Sequence, residues 1–132
     1  MKRLIVVLLL ACSVFFAAGA FAQTADTLAG VKKVYVEKMD NNLDQFIISA
    51  ISKKFHGSLI VVLDKGSADA ILRATKDQQS TTKATIEMVD RSGRMIFWSG
   101  TAGDKNTIIR KHEGDEKIGS ALMDQLKKAM KR

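Results

Sequence analysis

Apolar and polar residues alternate along three stretches of the chain, and this period of two predicts β-strands with one buried face. The three stretches are Val31–Lys38, Asp69–Thr75 and Ala84–Val89. A further strand over Met95–Trp98 is expected, because Asp90-Arg91-Ser92-Gly93 is a hairpin signal in which Gly93 can adopt a positive φ. These patterns predict the sheet.

Another apolar stretch, Leu59–Leu63, consists of five consecutive aliphatic residues and is followed by Lys65-Gly66-Ser67. Such a run is typical of a strand covered on both faces. We therefore expect this strand to be the one around which the fold is built.

Two segments carry apolar residues at helical spacing. In the first, Asn42 and Gln45 fit a capping box and Gly57 can end the helix in a left-handed conformation. The apolar face of this helix comprises Leu43, Phe46, Ile47, Ala50, Ile51 and Phe55. The second helix has Asp115 as its expected N-cap and a Lys-rich end that suits the helix dipole. Its expected apolar face comprises Ile118, Ala121, Leu122, Gln125, Leu126, Ala129 and Met130.

The order β-α-β-β-β-β-α predicts an α+β fold, a five-stranded mixed sheet with two amphipathic helices packed on one face. The first strand, first helix and Leu59–Leu63 should form a parallel βαβ unit. Lys76–Thr82 and Gly100–Glu113 are expected to be loops, the second pinned to the core by Ile108 and Ile109.

The N-terminal segment has the three regions of a signal peptide. Lys2 and Arg3 precede an apolar run from Leu4, and Ala20-Phe21-Ala22 matches a cleavage site, so we predict a cut after Ala22. The alternatives are a single membrane anchor and a lipoprotein attached through Cys12. For the exported protein, we expect a membrane contact only if Cys12 is lipidated. We thus expect a signal peptide at 1–22, a flexible lead-in at 23–31 and a single α+β domain at 32–132.

Composition narrows the classes of protein. The one cysteine of the 132 residues, Cys12, would leave with the signal, so the mature chain would have no thiol or disulfide. Without Lys2 and Arg3, 19 basic residues face 14 acidic ones and the net charge falls from +7 to +5. A periplasmic or secreted protein of this size must rely on its hydrophobic core.

Two motifs give a resemblance to known proteins. Ala68-Asp69-Ala70-Ile71-Leu72 opens the third strand, and Val89–Trp98 carries a D-x-x-G-x-aliphatic-x-W hairpin. In these motifs and in its element order, the chain resembles a group of small bacterial envelope domains that includes the TolB amino-terminal domain and the CsgG-like periplasmic domain. The resemblance covers about residues 32–131. It implies a sheet with two helices on one face and a role in envelope assembly or binding, without enzyme activity.

Candidate chemistry is sparse. His56, near the end of the first helix, suits the dipole at a helix C terminus. His112, Glu113 and Asp115 could form an acid–base or metal site but lack the spacing of a zinc motif. Asp64 and Asp69 bracket a turn, and turn or cap duty explains both. We assign no catalytic, cofactor or metal residue.

Two further sets of residues are candidates for binding. Lys105, Arg110 and Lys111 precede the last helix, where free N–H groups attract anions. Phe97 and Trp98 are adjacent in a strand and should face opposite sides of the sheet, so one of them, with Tyr35, could form a partner-binding patch.

These features predict a non-enzymatic exported module of the bacterial cell envelope, which binds a protein or envelope component through the face or edge of its sheet. The first alternative is a small hydrolase with an acid–base site near His112. The second is a protein that binds an anion, either lipopolysaccharide or nucleic acid. No specific nucleic-acid partner and no cofactor is expected, and the oligomeric state is left open.

Overall fold

The structure, a computed structural model, describes residues 27–75, 83–103 and 111–131, with only the backbone for 111–115. The strands are β1 (Lys33–Val36), β2 (Ile60–Val61), β3 (Ala70–Ala74), β4 (Lys83–Asp90) and β5 (Ile96–Gly103). The helices are α1 (Leu43–Phe55) and α2 (Lys111–Met130), and short 3-10 turns occur at Leu28–Gly30, Asp40–Asn42 and Lys65–Ser67.

The five strands form one mixed sheet in the order β2-β1-β3-β4-β5. β1 is parallel to β2 and to β3, whereas β4 is antiparallel to both β3 and β5. Both helices pack on one face, so the predicted α+β class and the parallel βαβ unit are confirmed.

The core lies between this face and the helices, and alternate strand residues point into it. Val34, Leu72, Ile86 and Met88 are fully buried there. The helices contribute Leu43, Ile47, Ala50, Ile51 and Phe55 from α1, and Ile118, Leu122, Met123 and Leu126 from α2. The stripe predicted for α1 is thus largely correct, with Phe46 half-buried at its border.

α1 and α2 run parallel to each other. A Cβ atom on Gly119 of α2 would lie 3.1 Å from Cβ of Phe46, so the two backbones approach closely near the start of the pair. Farther along, Nζ of Lys54 lies 2.7 Å from Oδ1 of Asp124, and Lys127 donates to the Lys54 carbonyl at 2.7 Å. The C-terminal ends of both helices therefore lie at the same end of the molecule.

The start of α1 differs from the predicted capping box. Asn42 is the N-cap, but it is left-handed at φ 59° and its side chain makes no capping hydrogen bond. Instead, the buried carboxylate of Asp44 accepts from the Met39 N–H at 3.3 Å and from the Gln45 amide at 3.2 Å. At the other end, His56 is the left-handed C-cap and Gly57 follows at φ 87°.

The prediction that Leu59–Leu63 is the central strand was wrong. Only Ile60 and Val61 pair, and they form the edge strand β2. Leu59 is buried, but Ile60 is 51% exposed and Leu63 is 92% exposed. β3 pairs with the side of β1 that β2 leaves free, so β1 and β3 are interior strands and β2 is at the edge of the sheet. The most apolar run of the described chain therefore lies at that edge.

The C-terminal elements also differ from the prediction. β5 continues through Gly103 and α2 begins at Lys111, so both ends of the expected loop are regular structure and Asp115 lies inside the helix rather than at its N-cap. The buried face of α2 is rotated relative to the predicted one, since Met123 is buried while Ala121 and Gln125 are exposed. Ile108 and Ile109 lie outside the described residues.

Candidate binding surface on the helix-free side of the sheet

The connection from β2 to β3 must cross β1, because β1 lies between them in the sheet. It crosses on the face opposite the helices, where Nζ of Lys65 lies 3.2 Å from Oε1 of Glu37 and Arg91 donates to the Gly66 carbonyl. The path from β1 to β2 and the path from β2 to β3 run in opposite directions across the sheet. Since both crossovers are right-handed and α1 crosses on one face, the second connection must cross on the other face. We call this face, with the β2 edge and the connection, the helix-free side.

The connection covers a small second cluster. Ala68, Ile71 and Val89 are all buried, at 1%, 2% and 0% exposure, but they do not belong to the main core. Ile71 lies opposite both Tyr35 and Val89 in the register of the strands. The helix-free side is therefore neither bare nor wholly polar.

Large exposed aliphatic side chains flank this covered centre. Ile60 lies opposite Lys33, one residue away from the inward-facing Val34, so it points to the helix-free side. Ile96, 58% exposed, lies opposite Val89 on the same face. Leu63 lies in the connection from β2 to β3, and Met95, just before β5, is 46% exposed. Single exposed aliphatic side chains are ordinary on a protein surface, so these four residues are candidates for an interaction surface and do not by themselves define one.

The two edges of the sheet differ in how open they are. In β5, Thr101 lies opposite Thr85, whose carbonyl accepts from the Thr75 N–H, so the backbone of Thr101 points away from the sheet. Gln125 of α2 donates to the Thr101 carbonyl at 3.0 Å and occupies that edge.

At the β2 edge, the N–H groups of Ile60 and Val62 bond inward to β1. The backbone groups of Val61 between them consequently point outward. The β2 edge, beside Leu63, is therefore open at Val61.

The predicted aromatic patch is arranged differently from the expectation. A bulge shifts the register between β4 and β5, because Met88 pairs with Trp98 but Val89 pairs with Ile96, which leaves Phe97 unpaired. Phe97 and Trp98 are both half-buried and both pack against the core, so they do not simply alternate. Tyr35 is half-buried on the helix-free face. A partner-binding role for these three residues stays a prediction.

Gly100 makes the position of Trp98 possible. A Cβ atom on Gly100 would lie 2.4 and 2.6 Å from two ring carbons of Trp98, and 2.9 Å from Oε1 of Gln125. The indole therefore lies directly on the Gly100 backbone, which only a glycine allows.

Asp69 and Asp64 both have structural roles, in agreement with the turn and cap duty expected for them. Oδ2 of Asp69 accepts from the N–H groups of Lys32 at 3.0 Å and Lys33 at 2.9 Å, which joins the start of β3 to the start of β1. Oδ1 of Asp64 accepts from the Gly66 N–H at 3.1 Å. These bonds explain why an aspartate opens the Ala-Asp-Ala strand.

Asp90 closes the predicted hairpin. Its carboxylate accepts from the Ser92 hydroxyl at 2.7 Å and from the N–H groups of Arg94 at 2.8 Å and Met95 at 3.0 Å, while Gly93 adopts φ 73°. These hydrogen bonds, that of Ser92 first, stabilise the ionised form and hold the pKa of Asp90 below its usual value. The hairpin is thus fixed by local bonding.

The predicted chemical sites gain no support. His112, Glu113 and Asp115 lie in the first turns of α2, where only the backbone is described, and His56 is an exposed cap. Lys105 and Arg110 lie outside the described residues, and Lys111 is the first residue of α2. Among the residues the structure describes, no three His, Cys, Asp or Glu side chains are placed to hold a metal ion.

Sequence reasoning missed the residues that the structure exposes, namely Ile60, Leu63, Met95 and Ile96. A signal was available for Leu63, because it is followed directly by Asp64-Lys65-Gly66, a polar turn in which an aliphatic side chain has little to cover it. No helix in the described portion of the chain is both long and apolar enough to cross a membrane.

Comparisons with protein-family models, with curated proteins and with solved structures found no match to this chain.

Proposed function

We propose that the chain is a non-enzymatic module, exported to the bacterial cell envelope, that binds a protein through the helix-free side of its sheet. The observation that carries the proposal is the 92% exposure of Leu63 beside the open β2 edge. A leucine in this position gains from burial only when another molecule covers it. The resemblance of the hairpin and Ala-Asp-Ala motifs to envelope domains supports the same role.

The β2 edge offers a mechanism that needs no pocket. An extended segment of the partner can pair with the outward backbone groups of Val61, while its side chains cover Ile60 and Leu63. This pairing would lengthen β2 across the apolar run that the sequence marks as a five-residue strand. Main-chain bonds would then provide affinity and the aliphatic side chains specificity.

The proposal is tested with the double variant Ile60→Ser, Leu63→Ser, immobilised and exposed to an envelope extract. Covering each aliphatic side chain contributes about 1.5 to 3 kcal/mol, so we expect capture of the partner to weaken at least about tenfold. The matched control is Ala121→Ser, an exposed position on the helical side. Equal capture by the parent and the double variant, both folded, would overturn the proposal.

Export is tested separately. A signal peptide cut after Ala22 gives a mature chain that starts at Gln23, and mass spectrometry of the protein recovered from the periplasm or medium measures this directly. A cytoplasmic product that retains Met1 to Ala22 would argue against an envelope role.

A further inference from the structure

Basic residues gather at one end of the fold, although they are spread along the sequence. β1 and β3 begin at this end, the hairpin between β4 and β5 turns there, and α1 and α2 both end there. We call this end the basic pole, and its cations are Lys32, Lys33, Lys53, Lys54, Arg91, Arg94, Lys127, Lys128 and Lys131.

The helix dipoles do not account for this accumulation. Each helix C terminus is equivalent to about half a negative charge, so two of them are balanced by about one cation. Five lysines lie in the last turns of α1 and α2 or just beyond, with Asp124 paired to Lys54. Lys53, Lys128 and Lys131 are exposed and make no hydrogen bond or ion pair with any residue that the structure describes.

Internal bonds already hold the carboxylates at this pole. Asp69 accepts from the two N–H groups at the start of β1, Asp90 is bonded within its hairpin, and Asp124 is paired. Asp124, Lys127, Lys128 and Lys131 line an open groove of about 400 Å³ at the end of α2. The pole thus presents free ammonium groups beside a space that can admit an anionic group.

We infer that the basic pole docks onto a lipid surface that carries anionic headgroups. Seven of its nine cations are lysines, which act as point charges, whereas bidentate recognition of single phosphates favours arginine. No aromatic ring in the described residues is fully exposed, so the stacking platform that single-stranded nucleic acid uses is lacking.

The test compares the full chain with Lys53→Gln, Lys128→Gln, Lys131→Gln in binding to vesicles. The measured quantity is the ratio of the partition coefficient for anionic phosphatidylglycerol vesicles to that for neutral phosphatidylcholine vesicles, because the N-terminal apolar run contributes to both. A lysine near an anionic surface contributes about fivefold to partitioning, so we expect the ratio to fall on the order of 100-fold. Added salt should reduce the ratio of the parent chain.

The matched control is Lys38→Gln, Lys83→Gln, Lys117→Gln, which removes the same charge from the opposite end. Lys83 lies about 27 Å from the pole along β4, and Lys117 lies about 16 Å from Lys128 along α2, so each is at least about two screening lengths of about 8 Å away in physiological salt. The control should keep most of the preference for anionic vesicles. Equal losses in both variants would mean that net charge alone acts, and would overturn the inference.

Two other outcomes also contradict it. Parent and pole variant could show the same vesicle ratio, or the pole variant could lose binding to single-stranded DNA while its vesicle ratio is unchanged. The second result would assign the pole to nucleic acid instead. Unchanged thermal unfolding midpoints for both variants show that the fold is intact.

Discussion

Replacing Gly100 with alanine tests the contact between β5 and α2. The added Cβ would lie 2.4 and 2.6 Å from ring carbons of Trp98 and 2.9 Å from Oε1 of Gln125, all well inside van der Waals contact. A rigid indole ring cannot yield by a small rotation, so it must leave its position over the backbone. The substitution therefore disturbs packing and the edge of the sheet together.

The expected loss of stability is the sum of the cost of overpacking and the cost of a lost hydrogen bond. Overpacking of this kind costs about 1 to 3 kcal/mol. Loss of the bond from Gln125 to the Thr101 carbonyl, 3.0 Å long, adds about 1 kcal/mol. We expect the free energy of unfolding to fall by about 2 to 4 kcal/mol in urea titrations. Trp98 is the only tryptophan, so its emission should shift to longer wavelength as the ring becomes wetter.

Two variants control the measurement. Gly66→Ala places a Cβ 3.5 Å from Asp64, an ordinary contact, and should change stability by less than about 1 kcal/mol. In a Trp98→Val background, Gly100→Ala should cost much less than in the parent, because the clashing ring is gone. An equal cost in both backgrounds, or an unchanged emission spectrum, would refute the packing argument.

Two further predictions concern the aspartates that join the strands. Asp69→Ala removes the acceptor of two N–H groups at the start of β1, so the free energy of unfolding in urea should fall by about 2 kcal/mol. Asp64→Ala removes one such bond and should lower it by less than about 1 kcal/mol, and equal losses would contradict the assigned roles. Because the pKa of Asp90 is lowered in the folded state, its contribution is present above about pH 4 and is lost as pH falls through the lowered pKa. The stability gap between the parent and Asp90→Asn should therefore narrow in acid, and a constant gap from pH 7 to pH 2 would argue against this.

The spacing of apolar residues correctly predicted the strands and the helix that have one face packed in the main core. β1, β3 and β4 alternate because one face of each packs on the helices, and Leu43 to Phe55 repeats at helical spacing for the same reason. The Asp90 hairpin was predictable because its bonds are made within six residues. Each of these signals is contained in a short window of sequence.

The features that the sequence did not predict depend on contacts between residues far apart in the chain. Leu59–Leu63 reads as a central strand, but its place in the sheet depends on β3 pairing with β1, which no local pattern specifies. The bulge at Phe97 and the contact of Trp98 with Gly100 depend equally on distant partners. The exposure of Ile60 and Ile96 was missed because exposed and buried isoleucines look alike in a sequence.

The most direct measurement for the proposed function is site-specific crosslinking in the envelope of intact cells. A photoreactive residue is placed at Leu63, with Ala121 on the helical side as the control position. We expect a discrete protein adduct from position 63 and none from position 121. Adducts of the same kind from both positions, or none from position 63 in a folded and exported chain, would contradict binding through the helix-free side.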